Sequence, residues 1–246
     1  MDNKIFNELV NRGIITHVGL KAENFNSLDD LIKLGVVSMP IADEVYEEIV
    51  KELGTYIMTA EELISGIENG GSFTLGDNIV LDDYLNVKTD VTIDLNGYSI
   101  SSATDIFNVS AKLTINGEGK IMAATDNTCS WCAVFAHDNA EVVINGGEYS
   151  IGAPEGDYND LIYARDNAKI TINGGTYHSA GTVRNDGTAF VLNLKDNTAA
   201  KITVNGGKFE NFNPAEANTE PGGLYNFLAD GYEAVAEGDW FVVREA

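Results

Sequence analysis

Five β-branched runs in this chain end in Asn-Gly: Val91-Thr92-Ile93-Asp94-Leu95-Asn96-Gly97, Leu113-Thr114-Ile115-Asn116-Gly117, Val142-Val143-Ile144-Asn145-Gly146, Ile170-Thr171-Ile172-Asn173-Gly174 and Ile202-Thr203-Val204-Asn205-Gly206. The asparagines are 20, 29, 28 and 32 residues apart. Repeats of this period describe units that cannot bury an apolar face alone and must stack on their neighbours. Each unit alternates apolar and polar residues with period two, the pattern of a half-buried strand. A propeller blade needs about 40–45 residues, longer than these units, and the Leu/Asn ladder of a leucine-rich repeat is absent. One turn of a parallel β-helix fits: two or three short strands, with Asn and Gly at the corners supplying backbone at positive φ. The expectation is a mainly β fold, a single-stranded parallel β-helix, with Ile93, Ile115, Ile144, Ile172 and Val204 buried in one inward ladder.

A second signature precedes three of the units: Asp138-Asn139-Ala140, Asp166-Asn167-Ala168 and Asp196-Asn197-Thr198. Its asparagine precedes that of Asn-Gly by 6, 6 and 8 residues, so the last unit carries a two-residue insertion. Acids recurring at one place in successive units mark a corner and not a unique site.

Outside the repeat the grammar differs. Residues 1–56 read as a small α-helical region. Ile5, Phe6, Leu9 and Val10 recur at helical spacing before Gly13, a second helix spans 28–34 before Gly35, and a third spans 43–53 before Gly54. Leu9-Val10-Asn11-Arg12-Gly13-Ile14-Ile15-Thr16 aligns with Leu31-Ile32-Lys33-Leu34-Gly35-Val36-Val37-Ser38 at an offset of 22. In residues 57–71, Thr59 and Glu62 form a capping box opening a helix that ends before Gly70-Gly71, a cover for the first exposed rung. Residues 72–208 hold the β repeats. The aromatic-rich stretch 209–246 leaves the pattern and reads as the carboxyl-terminal cap.

Charge narrows the partners. Lys and Arg total 15 against 38 Asp and Glu, a net charge of −23, which repels nucleic acid and anionic membrane. No stretch approaches the roughly 18 apolar residues of a membrane span. The first eight residues lack the basic and apolar regions of a signal peptide, and only two cysteines, Cys129 and Cys132, occur. Both point to synthesis in a reducing cytosol.

Candidate chemistry is sparse. Cys129-Ser130-Trp131-Cys132 is a lone C-x-x-C; structural zinc needs four ligands, and the nearest imidazoles are His137 and, one unit on, His178. Glycoside cleavage needs paired carboxylates at a set separation. The available acids, among them Asp138, Glu148, Glu155, Asp157, Asp160, Asp166, Asp186 and Asp196, fall mostly in turns. Arg165 and Arg184 sit in no lyase pattern. Tyr149, Tyr158, Tyr163 and Tyr177 form either an exposed sugar-stacking stripe or part of the core. His17, His137 and His178 are dispersed. The expectation is no catalytic residue, no bound metal and no cofactor.

The units "VTIDLNGYSI", "VVINGGEYS", "ITINGGTYH" and "ITVNGGKF" resemble coils of the pectate-lyase-like right-handed β-helix proteins, a likeness covering residues 59–246. The tail "NFLADGY…GDWFVV" is similar to the closing segment of β-helix proteins of tailed phages and gut bacteria. With the short helical start, the layout resembles a head fibre protein of tailed, crAss-like phages. The resemblance implies a right-handed helix and a non-enzymatic homotrimer, made in the host cytoplasm and carried on the capsid exterior. It implies a major or other capsid protein as partner, with the distal part turned outward toward a possible host surface glycan. Ile5, Phe6, Leu9, Val10, Ile14 and Ile15 are the expected capsid-attachment residues, because an apolar stripe of this kind marks a partner surface. The alternative is that they pack on the helices at 28–34 and 43–53. Residues 1–56 carry −5 and residues 57–246 carry −18, so the attaching end repels itself less. Two rival readings are a tail-spike-like enzyme that degrades glycans and a bacterial glycan-binding β-helix module.

Overall fold

The computed structural model describes residues 3–15, 28–33, 55–125, 132–152, 159–183, 187–220 and 222–246. The chain divides into two units, Met1–Tyr56 and Ile57–Ala246. In the first, helix α1 (Asn3–Asn11) stops at Gly13, whose φ of 71° suits a residue without Cβ, and α2 covers Leu28–Lys33. Residues 34–54, including the helix expected over 43–53, lie outside the described residues.

The second unit is mainly β, with parallel sheets. Helix α3 (Ala60–Asn69) opens it. Thr59 accepts from the Glu62 N–H at 3.2 Å while Glu62 accepts from the Thr59 N–H at 3.1 Å, the reciprocal bonds of a capping box. Leu63 and Ile67 turn its apolar stripe inward. The chain then visits three sheets in turn. The first contains Gly71–Leu75, Val91–Asp94, Lys112–Asn116, Glu141–Ile144, Lys169–Ile172 and Lys201–Val204, with Thr55–Ile57 at its outer end. The second contains Ile79–Leu81, Ser99–Ser102, Lys120–Ala123, Glu148–Ile151, Thr176–Tyr177 and Gly207–Glu210. The third contains Leu85–Val87, Phe107–Val109, Cys132–Ala136, Asp160–Ala164 and Leu192–Leu194.

Register follows composition. Phe73, Ile93, Ile115, Ile144, Ile172 and Val204 are successive partners in the first sheet, each nearly or wholly buried. Thr92, Thr114, Val143, Thr171 and Thr203 form the neighbouring column, only half-buried, because successive side chains on a strand alternate faces. In the second sheet the inner column passes from Ile100 and Ile121 to Tyr149, Tyr177 and Phe209. The three aromatic rings stack at 5.0 and 4.7 Å with interplanar angles of 9° and 7°. The two phenols are satisfied locally, Tyr149 Oη donating to Gly146 O and Tyr177 Oη to Gly174 O.

The stack ends on a change of direction. Trp240–Glu245 pairs antiparallel with Gly207–Glu210 and with Tyr232–Glu237, which forms the sheet edge. An antiparallel hairpin cannot continue the parallel ladder, so it blunts the last exposed rung.

The corner after the first sheet corrects one expectation. Among the Asn-Gly asparagines only Asn96 has positive φ (49°); in the other units that conformation falls on Gly117, Gly147, Gly175 and Gly207. Asn116, Asn145, Asn173 and Asn205 instead join side chain to side chain. The Nδ2 of Asn145, Asn173 and Asn205 each donates to the Oδ1 one rung below, at 2.7, 2.7 and 2.8 Å. The first glycine of each Asn-Gly-Gly is needed for close approach: a Cβ on Gly146 would stand 2.6 Å from Gly117 O, and one on Gly206 2.5 Å from Asn173 O. The Asp-Asn signature does hold left-handed backbone, at Asp138, Asp166 and, displaced by the insertion, Asn197.

Candidate functional site

Small corner residues leave a groove of about 810 Å³ along the stack, with Glu118, Lys120, Asn145, Glu148, Thr176 and Lys208 among its walls. Lys120, Glu148, Thr176 and Lys208 are consecutive partners on the outward face of the second sheet. Glu148 bonds in both directions, to Lys120 Nζ at 3.1 Å and to His178 Nε2 at 3.1 Å. His178 Nδ1 lies 3.1 Å from Glu210 Oε2, and the Ser179 N–H also donates to Glu210. Trp240 meets the His178 ring edge-on at 5.4 Å, so the cluster links successive repeats to the closing hairpin.

His17, His137 and His178 are dispersed in the sequence, and nothing local marks His178 as part of a cluster. The signal available was columnar: residues that follow the corner glycines at equal offsets become neighbours across rungs. His178 follows Tyr177 as Glu210 follows Phe209, which puts them together although they are 32 positions apart.

The recurring acids sit at the corner after the third sheet. His137, Asp138 and Asp166 bring one ligand atom each within 4.8 Å of one another. Their electrons are already engaged: His137 Nδ1 is 3.0 Å from Asp138 Oδ2, the Arg165 Nε is 3.3 Å from Asp166 Oδ2, and that oxygen accepts from the Asp138 N–H. A competing guanidinium on one of three ligands makes this a poor cation cradle. Glu155, Asp157, Arg184 and Asp186 lie outside the described residues, as does His17.

Cys132 is buried and its N–H donates to Asp105 Oδ1 at 3.0 Å. Burial, and then the Asp160 and Asp105 carboxylates, push its thiol well above the ordinary range, the opposite of what a reactive thiolate requires. Cys129 and Trp131 lie outside the described residues.

The tyrosines divide. Tyr149 and Tyr177 are core, their phenols raised by burial. Tyr163 faces outward, stacks on Phe135 at 5.7 Å and donates to Glu220 Oε2 at 2.8 Å. Burial, followed by Glu220, raises its phenol too. Lys195 pairs with the same Glu220, fastening the segment after 213 to the third sheet. Tyr158 lies outside the described residues.

In the first unit, Phe6, Leu9 and Ile15 are buried, Ile14 is half-buried and Val10 is exposed; Ile5 lies on α1. The expected attachment stripe is therefore not one exposed face, since three of its six residues are covered. The Ile14 and Ile15 N–H groups return to Leu9 O, folding the end of α1 back on itself.

No protein-family model, no curated protein and no solved structure matches this chain.

Proposed function

We propose that the three sheets close into a right-handed parallel β-helix and that the protein is a non-enzymatic structural component of a virion. In this reading it is a homotrimeric head fibre. Residues 1–56 bind a capsid protein and the β unit points outward, where it is free to meet a host surface glycan. One observation carries the structural role: side chains that an enzyme would aim at a substrate are spent between rungs. Glu148 is shared by Lys120 and His178, Glu210 is taken by His178, Asp166 by the Asp138 N–H, and the asparagines by one another. A stack joined in this way transmits shape and resists fraying. The acidic surface suits display in many crowded copies.

Electron microscopy of particles labelled for this protein tests the assignment, with label expected on the capsid exterior. Deleting residues 1–20 should leave a β-rich, soluble protein that no longer co-sediments with capsids; undiminished binding would place the anchor elsewhere. The groove favours one rival, a glycan-cleaving enzyme. Reducing-sugar release or unsaturated-product absorbance that disappears in Glu148→Gln would replace the structural reading with that one.

A further inference from the structure

The five Asn-Gly pairs are chemically the same dipeptide but structurally unequal. Asn-Gly is prone to self-modification because glycine leaves its amide nitrogen unshielded beside the Asn carboxamide. Attack needs three things at one pair: a free glycine N–H, a polarised carbonyl and an unheld leaving nitrogen.

Four pairs lack at least one of these. The Gly97 N–H is held by Glu118 O at 2.5 Å, and Asn96 Nδ2 by Leu75 O at 2.9 Å. Asn145, Asn173 and Asn205 each commit Nδ2 to the rung below. A nitrogen donating in this way is a poorer leaving group, and the side chain cannot swing toward the backbone. Asn145 and Asn173 are held at the oxygen as well.

Asn116 stands at the foot of the ladder and differs. Its Oδ1 accepts from Asn145 Nδ2 at 2.7 Å, which draws electron density from Cγ. Among the described residues no hydrogen bond engages its Nδ2 or the Gly117 N–H. Its partner in the column below is a carboxylate, Asp94, whose Oδ1 lies over Gly117 where a Cβ would stand, 2.3 Å from that point.

We infer that Asn116-Gly117 is a self-modification site, converting through a cyclic imide to a mixture of aspartyl and isoaspartyl linkages. The Gly117 nitrogen forms a bond to Asn116 Cγ and gives up its proton to the Asp94 carboxylate or to solvent. The Cγ–Nδ2 bond breaks, and Nδ2 leaves as ammonia after taking up a proton. Water then adds to either imide carbonyl. Cleavage of the new Cγ–N bond leaves aspartate, and cleavage of the original backbone C–N bond leaves isoaspartate; nothing is oxidised or reduced. The aspartyl product faces Asp94 across the rung, and the isoaspartyl product adds a methylene to the backbone and shifts the register. Ageing therefore loosens the stack at this rung first.

Peptide mapping after incubation of the full-length protein in mildly alkaline buffer reads the conversion at each pair. In the native protein position 116 should convert about tenfold faster than 145 or 173, the scale of the one hydrogen bond that holds the leaving nitrogen at those two positions and not at 116. In urea the five rates should converge. Asn145→Ala removes the donor to Asn116 and the acceptor of Asn173, so conversion at 116 should slow while that at 173 accelerates. Equal native rates at 116, 145 and 173 overturn the inference, as does an Asn145→Ala protein that remains folded with both rates unmoved. If that variant does not fold, the native-against-urea comparison decides alone.

Discussion

After the first sheet the chain turns through 95–98, 117–119, 145–147, 173–175 and 205–206, while after the second it runs through 103–106, 124–131, 152–159 and 178–191. The first corner stays within two to four residues because from Gly117 onward each rung there touches the next. Gly146 lies against Gly117 O, Gly174 against Asn145 O and Gly206 against Asn173 O, and the asparagine amides bond in series. Among the described residues the second corner makes one such approach, where a Cβ on Gly181 would stand 1.8 Å from Ile151 O, while a Cβ on Gly187 farther along the same connection would meet nothing within 4 Å. The difference teaches where sequence repetition comes from. A corner whose backbones touch rung after rung holds the same residues in each unit, and one that touches at a single point is free to lengthen.

The largest effect should fall inside the ladder both corners serve. Ile144→Asp buries a charge between Ile115 and Ile172, and unfolding in denaturant should show a loss of about 4 kcal/mol or more. The corners themselves should then separate. Gly146→Ala drives a Cβ into Gly117 O and should cost about 1–3 kcal/mol. Gly187→Ala meets only the strain of its φ of 82°, about 1–2 kcal/mol at most. Equal losses at the two sites would erase the contrast between the corners. Asn173→Ala removes two ladder bonds, and a loss of about 1–2 kcal/mol is expected by the same measurement. At the surface, Lys120→Ala breaks an exposed ion pair with Glu148 and should change stability by about 0.5 kcal/mol or less.

Legibility in the sequence followed the same divide. The Asn-Gly and Asp-Asn signatures located two of the three corners, and period-two alternation placed Ile93, Ile115, Ile144, Ile172 and Val204 in one buried column. The physical role of the asparagines was misread, because Asn is common both at positive φ and in amide ladders and only the rung spacing distinguishes them. The third sheet left little trace: Leu85–Val87 and Leu192–Leu194 are three-residue strands, too short for a periodicity, behind connections of unequal length. The Glu148–His178–Glu210 cluster was invisible for a related reason. Its members are far apart in sequence and meet only once the register is known. Cys132 is buried and its thiol is raised by that burial and by the Asp160 and Asp105 carboxylates, so alkylation mapped to that residue should require unfolding.

The account stands on the order in which the repeats stack, and paired spin labels read that order directly. With Cys129 and Cys132 replaced, one label stays at Thr92 and the second moves from Val143 to Thr171 to Thr203 along the outward column. Each move should lengthen the measured distance by about 5 Å, the spacing of adjacent strands. A distance that stays constant or shortens along the series would contradict the stacked ladder and the function built on it.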